Sequence, residues 1–194
     1  IYDIFFKLIM SEKFVPLVPE VLNQTFIVVL IDQLGSEYAE ERFAVKSIIH
    51  RMYARFINLR SFLRTEFLSF LSNYIATNSR SYGVAEILDI YSSIVSGFNI
   101  PIKPEHIMIL TKILIPLHNV DNLDGFNNQL TMCLKKYIQK DENLARVILT
   151  SLLKIWPRTN SHKAVLYLKE IESLLECVPY SVIKDIYPQM MKWI

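Results

Sequence analysis

Apolar residues recur at three- and four-residue spacing along most of the chain, the pattern of helices that bury one face. The pattern is clearest over residues 43–60. One stripe there is apolar, as a core face requires: Val45, Ile49, Met52, Phe56 and Leu59. A second stripe mixes cations, an aromatic ring and an aliphatic side chain: Lys46, His50, Tyr53 and Ile57, with Arg51 and Arg60 beside it. A solvated helix face usually carries small and charged residues, so the second stripe predicts a surface kept for a partner.

The same periodicity predicts helices along the rest of the chain. The four glycines and most of the eight prolines punctuate periodic segments, which favours helices with short connections over strands. We expect an irregular stretch over 13–19, a C-terminal stop at Gly35, a turn near Asn58, and His106 in the opening turn of its helix. The predicted helices are 1–10, 20–34, 43–60 with 36–40 as its opening turn, 59–77, 83–97, 104–118, 126–139, 142–155, 162–176 and 180–193.

These helices fall into pairs that repeat at roughly 40 residues, a period typical of HEAT and armadillo arrays. In such arrays no pair buries its own apolar face, and stacking supplies the core. The predicted fold is therefore all-α, a HEAT- or armadillo-like α-solenoid of about five helix pairs. Residues 1–194 form one array in this interpretation. A globular helical bundle would show less regular spacing.

Composition narrows the class of protein. Apolar residues make up 52% of the chain, enough for a large core, and the net charge of +2 argues against a nucleic-acid binder. Charges interrupt every apolar run before the roughly 18 to 20 residues of a membrane span. Cys133 and Cys177 lie in apolar runs and are expected to be small buried hydrophobes in a reducing compartment. The predicted location is the cytoplasm, extending to the nucleus.

Signals for catalysis are weak. The four histidines do not have the spacing of a helical metal site, and no glycine-rich phosphate loop or nucleophile motif occurs. We therefore expect no enzyme activity, no metal and no cofactor. One alternative is a helical metal-dependent hydrolase that uses His50, His106, His118 and Asp89.

The next helix but one strengthens the case for a binding surface. Ile90 and Ile94 lie on one stripe of the predicted helix 83–97, and corresponding helices of neighbouring solenoid repeats lie side by side. The two helices would then form a groove, with Tyr53 and Ile57 on one wall and Ile90 and Ile94 on the other. The simpler alternative is that His50 and Tyr53 only cap the core.

Such a groove would select its ligand. An aliphatic anchor buried between its walls would contribute roughly 1.5 to 3 kcal/mol, and a carboxylate hydrogen-bonded to His50 and Arg51 a similar amount. After the cost of ordering a peptide, about 8 kcal/mol would remain, which corresponds to a micromolar dissociation constant. Lys103 and His106 would favour a phosphate or an acidic residue on the ligand.

Five sequence blocks, in unbroken order across the chain, carry a resemblance to a known family. The blocks are Ile-Ile-His-Arg-Met-Tyr-Ala-Arg-Phe-Ile-Asn-Leu-Arg at 48–60, Gly-Val-Ala-Glu-Ile-Leu-Asp-Ile at 83–90, Gly-Phe-Asn-Ile-Pro-Ile-Lys-Pro-Glu-His at 97–106, Ile-Leu-Ile-Pro-Leu-His at 113–118 and Leu-Leu-Lys-Ile-Trp-Pro-Arg-Thr at 152–159. Together they resemble the B′ family of regulatory subunits of protein phosphatase 2A. That family is longer at both ends, so the chain is expected to be the central part of a longer solenoid.

The resemblance implies a non-catalytic subunit that docks on the phosphatase scaffold and catalytic subunits. It would recruit substrates or adaptors through short Leu-x-x-Ile-x-Glu motifs, often phosphorylated or acidic. The motif's isoleucine would enter a pocket formed by Tyr53, Ile57, Arg60, Ile90 and Ile94. Its glutamate would meet His50 and Arg51, and its leucine and an acidic neighbour would lie toward His106 and Lys103.

The chain departs from the family at three places. Ile57 replaces a usual leucine, Asp89 a usual glutamate, and 161–163 a usual Ser-Pro-Lys. The alternative function is a HEAT-like structural scaffold or transport adaptor without phosphatase binding. The predicted peptide-binding residues are Lys46, His50, Arg51, Tyr53, Ile57, Arg60, Asp89, Ile90, Ile94, Lys103 and His106.

Overall fold

A computed structural model describes residues 1–78 and 82–191, and within these ranges the chain contains helices and turns but no β-strand. The predicted all-α class is confirmed. The chain divides into two compact units, Ile1–Ile90 and Tyr91–Ile194.

The first unit contains the helices that carry most of the predicted site. They are α1 (Tyr2–Met10), α2 (Val18–Val21), α3 (Gln24–Asp32), α4 (Ala39–Arg55), α5 (Arg60–Thr77) and the first half of α6 (Val84–Ser96), with 3₁₀ turns at Glu12–Leu17, Gln33–Gly35 and Ile57–Leu59. α1 packs on α4, and α3 packs on α5. Val45, Ile49 and Met52 are fully buried, which confirms the apolar stripe of α4.

One predicted boundary in this unit is wrong, and the predicted stop at Gly35 is confirmed in position. α3 begins at Gln24 rather than at Glu20, because the side chain of Asn23 caps its N-terminus by accepting a hydrogen bond from the Phe26 N–H at 2.9 Å. Gly35 ends a 3₁₀ turn without the positive φ of a left-handed C-terminal cap. The stretch predicted to be irregular contains a 3₁₀ turn and the short α2.

α4 stops before the end of the predicted stripe. Phe56 has an extended backbone, with φ −106° and ψ 94°, and the 3₁₀ turn that follows begins at Ile57. The turn expected near Asn58 is confirmed. Ile57 and Leu59 therefore do not continue the faces of α4, and Arg60 becomes the first residue of α5.

The second unit contains the end of α6, a broken helical segment and four regular helices. The segment comprises α7 (Pro104–Ile109), a π-helical turn (Leu110–Leu114) and a 3₁₀ turn (Pro116–Asn119), and a further 3₁₀ turn at Leu123–Gly125 leads into α8. The regular helices are α8 (Asn127–Lys140), α9 (Asn143–Lys154), α10 (Ser161–Leu175) and α11 (Tyr180–Met190). The predicted end of the last helix at Trp193 lies outside the described residues.

The prediction of one continuous helix from Pro104 to His118 is wrong. Pro104 and His106 occupy the opening turn as expected. The Ile115 N–H then bonds to the Leu110 carbonyl at 3.0 Å in a π-type turn. Pro116 has no N–H and its ring crowds the preceding turn, so a regular α-helix cannot continue through it.

Helix stacking within the second unit has the order of a repeat array. α8 packs on α9 and on α10, and α9 packs on α11. Contact between each helix and the next but one is typical of stacked helix pairs. Both cysteines are free thiols; Cys133 is buried as predicted, whereas Cys177 is half-buried. Among the residues that the structure describes, every helix is too short or too polar to span a bilayer.

Two buried tyrosines make stability sensitive to alkaline pH. Tyr137 and Tyr167 are fully buried, and their hydroxyls donate to the backbone carbonyls of His106 and His118, each at 3.0 Å. Burial raises the pKa of both phenols far above the usual range; a hydrogen bond with Tyr91 partly opposes this for Tyr137. Both stay protonated in the folded state when the unfolded chain begins to ionise near pH 10.

We expect the free energy of unfolding to be unaffected by these tyrosines below about pH 10 and to fall above it, because the unfolded state then binds fewer protons. The loss should approach about 1.4 kcal/mol per pH unit for each tyrosine. Urea unfolding between pH 8 and 11 measures it. Tyr137→Phe should remove one tyrosine's contribution to the slope of the free energy of unfolding against pH. Tyr38→Phe, at an exposed position, should leave this slope unchanged. Equal slopes in both variants would contradict the assignment.

Candidate functional site

Two ion pairs join α4 to the first half of α6. Arg42 Nε lies 2.8 Å from Glu86 Oε1, and Lys46 Nζ lies 3.0 Å from Asp89 Oδ2, about one helical turn further along. The guanidinium of Arg42 also donates to the carbonyl of Ser36 at 2.8 Å. The predicted residues Lys46 and Asp89 therefore contact each other, and the charge of Lys46 is largely neutralised. The Arg42–Glu86 pair was not predicted.

Tyr53 is held by two arginines of α5. Arg60 donates through Nε to the Tyr53 carbonyl at 2.8 Å and through Nη2 to the Ala54 carbonyl at 3.0 Å, which satisfies two carbonyls at the C-terminus of α4. Its guanidinium carbon lies 5.4 Å from the centroid of the Tyr53 ring. Arg64 Nη1 donates to the Tyr53 hydroxyl at 3.0 Å. The tyrosine ring is thus fixed in orientation.

Arg60 was among the predicted peptide-binding residues, whereas Arg64 was not. The two arginines are four residues apart and therefore share one helix face. This face can be assigned only when the helix is known to start after Phe56. The break at Phe56 lets α5 start at Arg60 and brings both side chains back against Tyr53.

The C-terminal half of α4 presents its remaining predicted residues to solvent. His50 and Arg51 are exposed, and Ile57, in the turn that follows, is 74% exposed. The Arg51 guanidinium lies against the Met10 sulfur of α1. Arg55, which was not predicted, donates to the carbonyls of Ile9, Met10 and Ser11 and so caps the C-terminus of α1.

The surface around Tyr53 is basic. Within the described residues, Arg51, Arg60 and Arg64 form no ion pair with a carboxylate; their contacts are with carbonyls, a hydroxyl and a thioether. This stretch presents one largely exposed isoleucine, Ile57, and the exposed imidazole and guanidinium groups of His50 and Arg51. This combination can bind a ligand that carries an aliphatic side chain and a carboxylate.

The predicted wall residues on α6 are less accessible than expected. Ile90 in the first unit is 2% exposed, and Ile94 in the second unit is 6% exposed. They contribute little open surface as side chains. Their contact with a ligand stays a prediction.

The predicted residues of α7 lie in the second unit. Lys103 is exposed and precedes the first turn. His106 is buried: its ring stacks on Phe98 with centroids 3.8 Å apart and an interplanar angle of 10°. Its Nε2 lies 3.6 Å from a carboxylate oxygen of Glu105. The packing gives His106 a structural role, whereas its role toward a ligand stays a prediction.

The histidines and acidic residues of the hydrolase alternative do not form a metal cluster in the described ranges. Over residues 1–78 and 82–191, no group of three or more His, Cys, Asp or Glu side chains is arranged to hold a metal ion. Asp89 pairs with Lys46, and His118 lies against Glu170 in the core of the second unit.

Comparison with known proteins shows the family. A family model described as protein phosphatase 2A regulatory B subunit (B56 family) matches residues 1–194. The chain is 34% identical over 197 residues to the 56 kDa regulatory subunit delta isoform of Oryctolagus cuniculus, covering 99% of this chain and 34% of that protein. It is 35% identical over 195 residues to the Homo sapiens alpha isoform, covering 100% of this chain and 40% of that protein.

A plant relative gives a similar result. The B' delta isoform of the 55 kDa regulatory subunit from Arabidopsis thaliana is 36% identical over 177 residues, covering 91% of this chain and 37% of that protein. The chain belongs to the B56 family of protein phosphatase 2A regulatory subunits, which confirms the predicted B′ membership. The relatives are named as regulatory subunits, in agreement with the prediction that the chain is not an enzyme. The chain spans between a third and two-fifths of the length of these relatives.

Proposed function

We propose that the chain is the substrate-recruiting part of a non-catalytic regulatory subunit of protein phosphatase 2A. It binds short Leu-x-x-Ile-x-Glu motifs and brings the phosphatase scaffold and catalytic subunits to the proteins that carry them. Membership of the B56 family supports the regulatory role. The chemistry of the first unit supports the peptide ligand.

One observation supports the proposal: His50, Arg51 and Ile57 are exposed along the C-terminal part of α4 and the turn after it, the same stretch in which Arg60 and Arg64 fix the orientation of Tyr53. The motif's glutamate accepts hydrogen bonds from His50 and Arg51. Its isoleucine packs on Ile57 and the ring of Tyr53, with the buried Ile90 beneath.

Lys46 and Asp89 have a supporting role in this proposal. Their ion pair joins α4 to α6, so it holds the two helices that carry the motif's contacts in the first unit. Contacts of Ile94, Lys103 and His106 with the motif's leucine and with an acidic or phosphorylated neighbour remain predictions.

Fluorescence anisotropy of a labelled Leu-x-x-Ile-x-Glu peptide tests the proposal. We expect a micromolar dissociation constant for the unmodified chain. Arg51→Glu should weaken binding at least tenfold, because it removes a charged hydrogen bond of about 1.5 to 3 kcal/mol and adds a like charge. A peptide with alanine in place of its isoleucine should lose a similar amount through the lost apolar contact.

Two matched variants separate the site from general charge and folding effects. Lys13→Glu makes the same kind of charge reversal at an exposed position of the Glu12–Leu17 turn and should bind as the unmodified chain does. Ile57→Ala removes an exposed side chain and should weaken binding without changing the melting temperature. If the unmodified chain and a folded Arg51→Glu variant bind the peptide with the same affinity, the proposed carboxylate contact is wrong. A folded chain that binds neither the peptide nor the phosphatase would favour the alternative, a HEAT-like structural scaffold or transport adaptor without phosphatase binding.

A further inference from the structure

A cleft of about 390 Å³ lies between α8 and α10 in the second unit. None of the residues proposed to bind the Leu-x-x-Ile-x-Glu motif lines it. From α8 it is lined by Asn127, Asn128 and Met132, and from α10 by Leu166, Lys169 and Ser173. The cleft therefore combines amide, hydroxyl, ammonium and apolar groups.

One residue that lines the cleft, Asn127, carries a buried polar atom that has no hydrogen-bond partner. Asn127 is 7% exposed, and its Oδ1 is fully buried without a hydrogen bond. A buried acceptor in this state is costly, and a donor that reaches it is correspondingly favoured. Rotation about the soft terminal torsion of the asparagine would turn the amide toward the cleft. A side-chain amide offers both an acceptor and donors, which suits the alternating N–H and C=O groups of a peptide main chain.

The N-terminus of α8 also borders the cleft. Asn127 and Asn128 are the first two residues of the 14-residue helix α8, whose N-cap residue Phe126 provides no side-chain hydrogen bond. The first backbone N–H groups of a helix have no intrahelical partner, and the helix dipole favours a negative charge beside them. The exposed ammonium of Lys169 adds a full positive charge.

Among the residues that line the cleft, the carboxylate of Glu170 is engaged inside the core. The Glu170 side chain is fully buried and turned inward, with Oε2 3.1 Å from His118 Nε2 and Oε1 accepting from Thr131 Oγ1 at 3.0 Å. The apolar walls are accessible: Met132 is 48% exposed and Leu166 is half-buried. Methionine adapts to aliphatic groups of different shape.

We propose that this cleft binds a short extended peptide segment that carries a carboxylate side chain next to an aliphatic one. A main-chain N–H of the segment donates to Asn127 Oδ1. The carboxylate lies between the N-terminus of α8 and Lys169, and the aliphatic side chain packs on Met132 and Leu166. The site is independent of the Leu-x-x-Ile-x-Glu contacts in the first unit.

Nuclear magnetic resonance of the chain with carbon-13-labelled methionine methyl groups tests the proposal. The probe is the peptide acetyl-Asp-Glu-Leu-Asp-Glu-amide. We expect a saturable shift of the Met132 methyl signal with a dissociation constant of about 1 mM or below. The isosteric neutral peptide acetyl-Asn-Gln-Leu-Asn-Gln-amide should bind at least tenfold more weakly. Met10, which lies against Arg51, reports separately on any binding to the basic surface of the first unit.

Charge variants distinguish the cleft from non-specific attraction. Lys169→Glu should weaken the Met132 response at least tenfold and leave any Met10 response unchanged. Lys154→Glu, an equivalent change at an exposed position of α9, should alter neither response. Asn128→Asp, which places a negative charge at the start of α8, should weaken the Met132 response if Lys169→Glu does not fold. The proposal fails if Met132 is unmoved by about 10 mM acidic peptide, or if Lys169→Glu and Lys154→Glu bind it equally.

Discussion

Replacing Glu170 by alanine is expected to lower the free energy of unfolding by about 2 to 5 kcal/mol, because it removes a fully buried side chain with its hydrogen bond and leaves a cavity in the core. The side chains of His118 and Glu170 are both fully buried, with Nε2 and Oε2 3.1 Å apart. His118 Nδ1 lies 2.9 Å from the Ile115 carbonyl, so it donates its proton there. Thr131 Oγ1 donates to the other oxygen of Glu170 at 3.0 Å.

The position of the carboxylate explains the size of the effect. Glu170 of α10 accepts a hydrogen bond from Thr131 of α8 and lies 3.1 Å from His118 in the Pro116–Asn119 turn, so its removal takes away a buried hydrogen bond and leaves a cavity beside His118 Nε2. A neutral glutamine keeps the shape and one acceptor, and Glu170→Gln should therefore cost less than Glu170→Ala.

Urea unfolding followed by tryptophan fluorescence measures the loss, since the Trp156 ring lies 5.9 Å from Tyr167 in the same unit. Glu172→Ala, at an exposed position of the same helix, is the control and should change stability by less than about 0.5 kcal/mol. A double-mutant cycle with His118 isolates the pair itself. Equal stability of the Glu170→Ala and Glu172→Ala variants would contradict a structural role of the ion pair.

Gly83→Ala is expected to destabilise the first unit by about 2 to 5 kcal/mol through backbone strain and overpacking. Gly83 has φ +85°, a backbone conformation that residues other than glycine rarely adopt. A Cβ atom there would lie 2.7 Å from the carbonyl oxygen of Leu34 and 2.9 Å from its Cβ. Leu34 is fully buried, so the backbone that would have to move belongs to the core.

Gly35→Ala provides the matched control. A Cβ atom at Gly35 would have no neighbour within 4 Å, and its φ is not positive. Its substitution should be neutral or slightly stabilising, because alanine reduces the freedom of the unfolded chain. Thermal unfolding by circular dichroism compares the two. Melting temperatures that fall equally in both variants would show that the close approach of Gly83 to Leu34 does not matter.

The two glycines show how local reasoning can reach the wrong residue. Gly35 follows an apolar run and has the sequence context of a helix stop, whereas its backbone does not need glycine. The requirement at Gly83 comes from Leu34, which is close only after the chain has folded. A sequence pattern contains no information about such an approach.

The candidate site was predictable in its chemistry and only partly in its geometry. His50, Arg51 and Ile57 are exposed, as a binding surface requires. The orientation of Tyr53 by Arg64 was not foreseen, because it depends on where α4 ends. Ile90 and Ile94 were expected as open walls, but packing buries both.

The amino-acid pattern alone accounts for the helical class, most helix positions and the buried stripe of Val45, Ile49 and Met52, because a 3.6-residue apolar repeat is a local property of the chain. It also contained the blocks that identify the B56 family. The close approach of Gly83 to Leu34 and the pairing of His118 with Glu170 are visible only in the folded chain. Both join residues distant in the sequence, which meet only when the helices pack.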